Sequence, residues 1–305
     1  MGIKKEGLFM ATCKTIFRYL CMGIAVVVIG MVGALHIQAA DKTVGAADWQ
    51  QIVQHNVNWQ PMEMQVNMAV EMPVVGNGYG QLNVRMDAKG NSTGVVDAHF
   101  FGVVNEHISV PMWGEKKGNL YSFYYKVPQM YGGKWVTFTV PVLNIMDKKQ
   151  MNAAVDWQSV SDVMQIEPNV YRLVLGPSYF AKVLQKVQQT QGMMAMQVDK
   201  IAFLQKQMQN IQIVMYVRVD PVTKHIVHIE GDLTPFVQLI VMQAPNLGYK
   251  TNIPLAGYNL ISQIAANCRV RFFADYREGK KEAIIVPKTV KKVAVPLSPS
   301  NPLYK

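Results

Sequence analysis

Residues 61–72 read PMEMQVNMAVEM, in which Met62, Met64, Val66, Met68, Val70 and Met72 alternate with Glu63, Gln65, Asn67, Ala69 and Glu71. Strict alternation makes one side of an extended chain apolar and leaves the other wet, the mark of a half-buried strand. Gly76-Asn77-Gly78 offers a turn. Leu82, Val84, Met86 and Ala88 then alternate with Asn83, Arg85 and Asp87, which predicts the returning strand. Lys89-Gly90-Asn91 turns the chain again before a third strand at 93–104. Further strands are expected at 107–113, 119–127 and 134–140, separated by Gly114–Gly118 and Tyr131-Gly132-Gly133. This is an antiparallel meander. Such a sheet must close, curl or be covered to hide its edges and its apolar face.

The period changes elsewhere. Residues 44–57 predict a short helix with Trp49, Ile52 and Val53 on one side. Residues 152–165 place Val155, Val160, Val163 and Met164 near helical spacing, and 170–175 read as a short strand. Ser178 is a candidate N-cap for a helix to about 189, with Phe180 and Leu184 on its apolar face. A second helix is expected at about 194–208. Strands return at 210–220 and 225–243 around a Pro221-Val222-Thr223-Lys224 turn, and 269–276 is the last long strand. Residues 283–286 form a short apolar end. The fold class is therefore α+β: a strongly curved antiparallel sheet, an open half-barrel, with helices packed in or across its mouth. One domain spans 44–286, and 287–305 is expected to be a disordered basic tail containing prolines.

Residues 19–35 contain no charge, follow Lys14 and Arg18, and are succeeded by Ile37-Gln38-Ala39-Ala40. A basic region, an apolar region and small residues in that order read as a signal peptide over 1–39. A retained N-terminal anchor is the alternative, since about 17 apolar residues is the low end for a span. Either way the expected location is exported: the periplasm, or the outer side of a bacterial cytoplasmic membrane.

Charge refines this picture. The formal net charge is +10, with 16% of residues charged and half hydrophobic. Residues 1–40 hold four Lys/Arg against Glu6, and 276–305 hold seven against Glu278 and Glu282. The body between is nearly balanced and shows no basic stripe, so nucleic acid is not an expected partner. A basic tail suits anionic envelope polymer or lipid. Cleavage after Ala39 would leave Cys268 alone, which excludes an internal disulfide and a cysteine metal cluster.

No catalytic or cofactor motif is present, neither G-x-S-x-G, H-E-x-x-H, P-loop nor dinucleotide fingerprint. The chain is expected to be neither an enzyme nor a cofactor binder. Glu63 and Glu71 lie about 26 Å apart along a strand, too far for a catalytic pair. His225 and His228 face opposite ways on a strand, which excludes a shared metal, and His55, His99 and His107 show no partner pattern. Twenty methionines are far more than usual. Copper(I) binding would need three or four thioethers at one point, whereas alternating strand positions spread them out. Plain core packing and a deformable apolar wall both remain open.

Three stretches carry a resemblance. They are the Met62–Met72 strand with its hairpin; Gly118-Asn119-Leu120-Tyr121 followed by Gly133-Lys134-Trp135-Val136; and Val217-Arg218-Val219-Asp220-Pro221-Val222-Thr223-Lys224-His225-Ile226 with Asp232-Leu233-Thr234. In that order they resemble the lipoprotein-carrier-like superfamily of exported bacterial proteins (LolA- and LppX-like), in its uncharacterised Met-rich branch. The resemblance implies a bent half-barrel with an apolar cavity for acyl chains, a lipid or a lipidated segment. A good lipobox is missing, and no carrier-specific residue can be mapped. The expected cavity lining is Met64, Met68, Val84, Met86, Tyr121, Phe123, Val217 and Val219, with Phe180 and Leu184 from a covering helix. The rival reading is a structural envelope protein with a filled barrel and a docking tail.

Overall fold

The computed structural model describes residues 46–56, 61–73, 76–102, 105–118, 120–127, 132–141, 160–177, 179, 203, 206–243, 262–264 and 266–296. Alternation in the first half becomes six long strands: β1 (Met62–Met72), β2 (Gly76–Met86), β3 (Ser92–Gly102), β4 (Glu106–Lys117), β5 (Leu120–Lys126) and β6 (Trp135–Pro141). The second half adds β7 (Val160–Glu167), β8 (Val170–Leu175), β9 (Ile213–Val219), β10 (Ile226–Asp232), β11 (Arg269–Glu278) and β12 (Val295–Pro296). The longer helical elements among the described residues are α1 (Ala46–Asn56), α2 (Thr234–Gln243) and α3 (Lys288–Val293).

All twelve strands join one unclosed sheet, in the order β12-β6-β5-β4-β3-β2-β1-β11-β10-β9-β8-β7. The two meanders meet where β1 pairs antiparallel with β11, Val66 opposite Ala274. Every pairing is antiparallel except β12 with β6. β1 lies near the middle and is buried at every even position from Met62 to Met72. The core built on that face takes in Trp49 and Ile52 from α1, Tyr171 and Leu173 from β8, and Phe236, Val237 and Leu239 from α2.

Several expectations are corrected. Gly76, Asn77 and Gly78 belong to β2, and β4 runs on through Gly114 to Lys117, so both hairpins are longer and their turns tighter. Helical spacing around Val160, Val163 and Met164 is overridden by pairing with β8, whose register shifts at Val160/Asp162 and Gln165/Glu167. Those bulges scramble the period of two that would have betrayed a strand. The apolar run 225–243 divides at Leu233. Beyond it, Thr234-Pro235 opens α2, because proline suits the first helical turn and has no N–H for a ladder. The presumed tail is ordered from Pro287 to Pro296: α3 buries Val290, and β12 pairs with β6. Of the residues between and after the α3 lysines, Val290 is buried while Val293 is exposed, a signal too sparse for a periodicity argument. Residues 1–45 and 297–305, and nearly all of the two helices expected over 178–208, lie outside the described residues.

Candidate ligand-binding face

Pairing register decides which side chains share a side. Reading across the sheet, Tyr276, Met64, Val84, Gly94, Met112, Tyr125 and Val136 are successive partners. A second row runs Met62, Met86, Ser92, Gly114, Phe123 and Phe138. A third runs Tyr171, Val217, Ile229, Ala274, Val66, Leu82, Val96 and Val110. Met68, Val219 and Tyr121 sit two residues from Val66, Val217 and Phe123 and so face the same way. Eight of the ten expected lining residues therefore lie on one face. Phe180 and Leu184 lie outside the described residues.

Burial divides that face. Met64, Met68, Val217 and Val219 are packed into the core, none more than 3% exposed. Val84 and Met86 are partly buried against the core, as are Val96, Val110 and Met112. Tyr121 and Phe123 are half-buried. With Phe138 and Tyr125 they form an aromatic cluster: Tyr121–Phe123 centroids lie 4.7 Å apart, Phe123–Phe138 4.9 Å and Tyr125–Phe138 6.2 Å. The β1 and β8–β11 side is thus core, and on β2–β6 Leu82, Ala98, Phe100, Ile108 and Val136 are buried too; beside them Val84, Met86, Val96, Val110, Met112, Phe123 and Phe138 form an apolar and aromatic patch that is only partly covered. Sequence reasoning missed Val96, Val110, Met112, Tyr125 and Phe138, because strands β3–β6 interrupt their alternation with glycine, proline and aromatic residues on both faces.

Polar groups on this face are few. The Tyr121 hydroxyl lies 2.8 Å from Ser92 Oγ. Burial raises the Tyr121 pKa, the bond to Ser92 opposes this, and nearby Asp87 adds to the rise, so the phenol stays neutral. A Cβ on Gly114 would sit 2.2 Å from that hydroxyl and 2.4 Å from Ser92 Oγ; glycine there makes room for the pair. Tyr276 OH and Trp49 Nε1 are buried and have no hydrogen-bond partner among the described residues. Burial pushes the Cys268 thiol up to about 11, which keeps it protonated.

The opposite face is polar but not uniformly wet. Asn67 is buried there, and its Oδ1 accepts from the Tyr79 hydroxyl and from Gln81 Nε2 at 3.2 Å. Glu63 pairs with Arg277 at 2.7 Å. Histidines that showed no pattern in sequence meet in the fold. His99 stacks on His107 across β3 and β4 at 3.9 Å, and His55 lies 5.0 Å from His225. His228 instead meets Asp275, at 2.7 Å. Among the described residues no group of three or more His, Cys, Asp or Glu side chains could hold a metal ion.

An unclosed antiparallel sheet with one continuous apolar face, mostly core and with one partly covered patch on β2–β6, defines the class of fold. No family model matches the chain, and no curated protein does. Among solved structures the chain is similar to the crystal structure of LprF from Mycobacterium bovis, at 10% identity and a TM-score of 0.30, over 79% of this chain and 97% of that one.

Proposed function

We propose that this protein binds an apolar ligand, an acyl chain, lipid or lipidated segment, on the β2–β6 part of its apolar sheet face, without catalysis. The supporting observation is the half-covered run of Val84, Met86, Val110, Met112, Phe123 and Phe138, which cross-strand register puts on one side. Burying acyl methylenes there gains about 0.8 kcal/mol each, so twelve would give roughly 10 kcal/mol before ordering costs. Flexible methionine side chains let such a wall adapt to different chains. The order of charged, apolar and small residues in 1–40 supports an exported location.

Native mass spectrometry of the purified protein should show retained lipid, and a fluorescent fatty acid should bind. Met112→Glu, which sets a charge in the middle of the face, is expected to weaken uptake at least about tenfold while circular dichroism stays unchanged. A lipid-free spectrum together with no uptake rejects the reading. A second reading, docking on anionic polymer or lipid, draws on the exposed Lys280, Lys281, Lys288 and Lys292. Changing these four to Gln should then release the protein from anionic vesicles, and unchanged retention rejects it.

A further inference from the structure

α1 is held at two points. Trp49 is buried against Tyr171, ring centroids 5.2 Å apart, at one end. At the other, buried Asn56 joins the helix to the β9–β10 turn. Ile226 N donates to Asn56 Oδ1 at 2.8 Å, and Asn56 Nδ2 donates to Lys224 O at 2.9 Å and to Ile52 O at 2.7 Å. Beside this amide stand His55, from the helix, and His225, from the turn. Their rings are 5.0 Å apart and tilted by 33°.

We propose that His55 and His225 form a proton-triggered latch: in mild acid the half-buried His225 ring takes up a proton against its His55 neighbour, and the C-terminal end of α1 comes free of the β9–β10 turn. The inference concerns the joint alone and stands or falls apart from ligand binding. The charged groups that act on His225 include His55 on α1, Asp220 on the turn and Glu278 at the end of β11. Asp220 and Glu278 favour the charged ring. Asp220, however, already accepts from Val222 N at 3.0 Å, Thr223 N at 2.7 Å and the Thr223 hydroxyl at 2.9 Å, all within its own turn. Burial first, and His55 second, hold His225 below the usual histidine range. The released state therefore binds protons more readily than the docked one. Docking is strongest above the ordinary value near 6.5 and weakens as pH falls through it toward the docked-state value.

Hydrogen exchange of the full chain, corrected for intrinsic rates, tests this at about pH 7.5 and about pH 5.5, on either side of the histidine range. Peptides over 46–56 and 220–226 should lose roughly three- to tenfold protection in acid, while peptides over β1 keep theirs. His55→Gln and His225→Gln should each flatten that loss. Glu278→Gln, which removes an attracting carboxylate, should deepen it. Equal protection at both pH values in the parent, or an undiminished loss in the His55→Gln/His225→Gln double variant, overturns the latch.

Discussion

Alternation along β2 predicts Asp87 on its wet side, beside Asn83 and Arg85. In the fold its carboxylate is buried and accepts four hydrogen bonds: from Lys89 N at 2.8 Å, Asn91 N at 2.9 Å, Asn91 Nδ2 at 3.0 Å and Ile284 N at 2.8 Å. The first three close the β2–β3 turn; the fourth reaches nearly two hundred residues along the chain. Burial by itself would raise the carboxyl pKa, but the bonds from Ile284, Asn91 and Lys89 outweigh it and hold the group below its ordinary value. Such a carboxyl contributes stability that is complete above the unfolded value near 3.9 and is lost as pH falls through the folded value. Asp87→Ala is expected to lower urea stability at neutral pH by about 2–4 kcal/mol, since it strands buried donors. The gap to the parent should narrow in strong acid. A constant gap down to the acid transition would contradict this account.

At the scale of elements, the segment after β11 acts as a strap along one end of the sheet. Gly279 N donates to Pro61 O at 3.0 Å. Glu282 then meets Arg85 at 3.5 Å, Ile284 reaches Asp87, Lys291 donates to Glu115, and Val295 pairs with Val136. The chain thus passes from β1 to the far edge at β6, where β12 shields the open hydrogen-bonding groups. Burial raises the Glu115 pKa, and Lys291 and Lys117 more than reverse it, so the carboxylate is charged and paired. Truncation after Val286 removes the burial of Val290, the Lys291 partner and the edge cover. It is expected to cost about 2–4 kcal/mol in thermal or urea unfolding and to promote self-association through β6. A truncated chain as stable and monodisperse as the parent would refute the strap. None of this was legible in KTVKKV, where lysines dominate and only the partner strands supply a reason to order.

On the scale of the whole molecule, one sheet face is core over β1 and β8–β11 and over part of β2–β4, and leaves a partly covered apolar patch at Val84, Met86, Val110, Met112, Phe123 and Phe138. A ligand that binds only the folded form stabilises it by mass action, about 2.7 kcal/mol at a hundredfold excess over Kd. A long-chain fatty acid should therefore raise the unfolding temperature of the parent in a dose-dependent way, and raise that of Met112→Glu much less. Equal shifts for both proteins would place binding elsewhere.

The local periods were legible along the chain. Met62–Met72 reads as a two-sided strand, and Trp49 and Ile52 as one side of a helix, because side-chain direction follows backbone geometry within a few residues. Even the common face of Met64, Val84, Phe123 and Val217 was readable, since alternation marks the apolar side of each strand separately. Tertiary structure alone decided which parts of that face are core, because burial depends on what the chain brings back from far away. It alone also brought His55 to His225 and His99 to His107, ordered the lysine-rich end, and turned a run at Val160–Glu167 into a strand. In each case the deciding contact is cross-strand or long-range, and spacing along the chain holds no record of it.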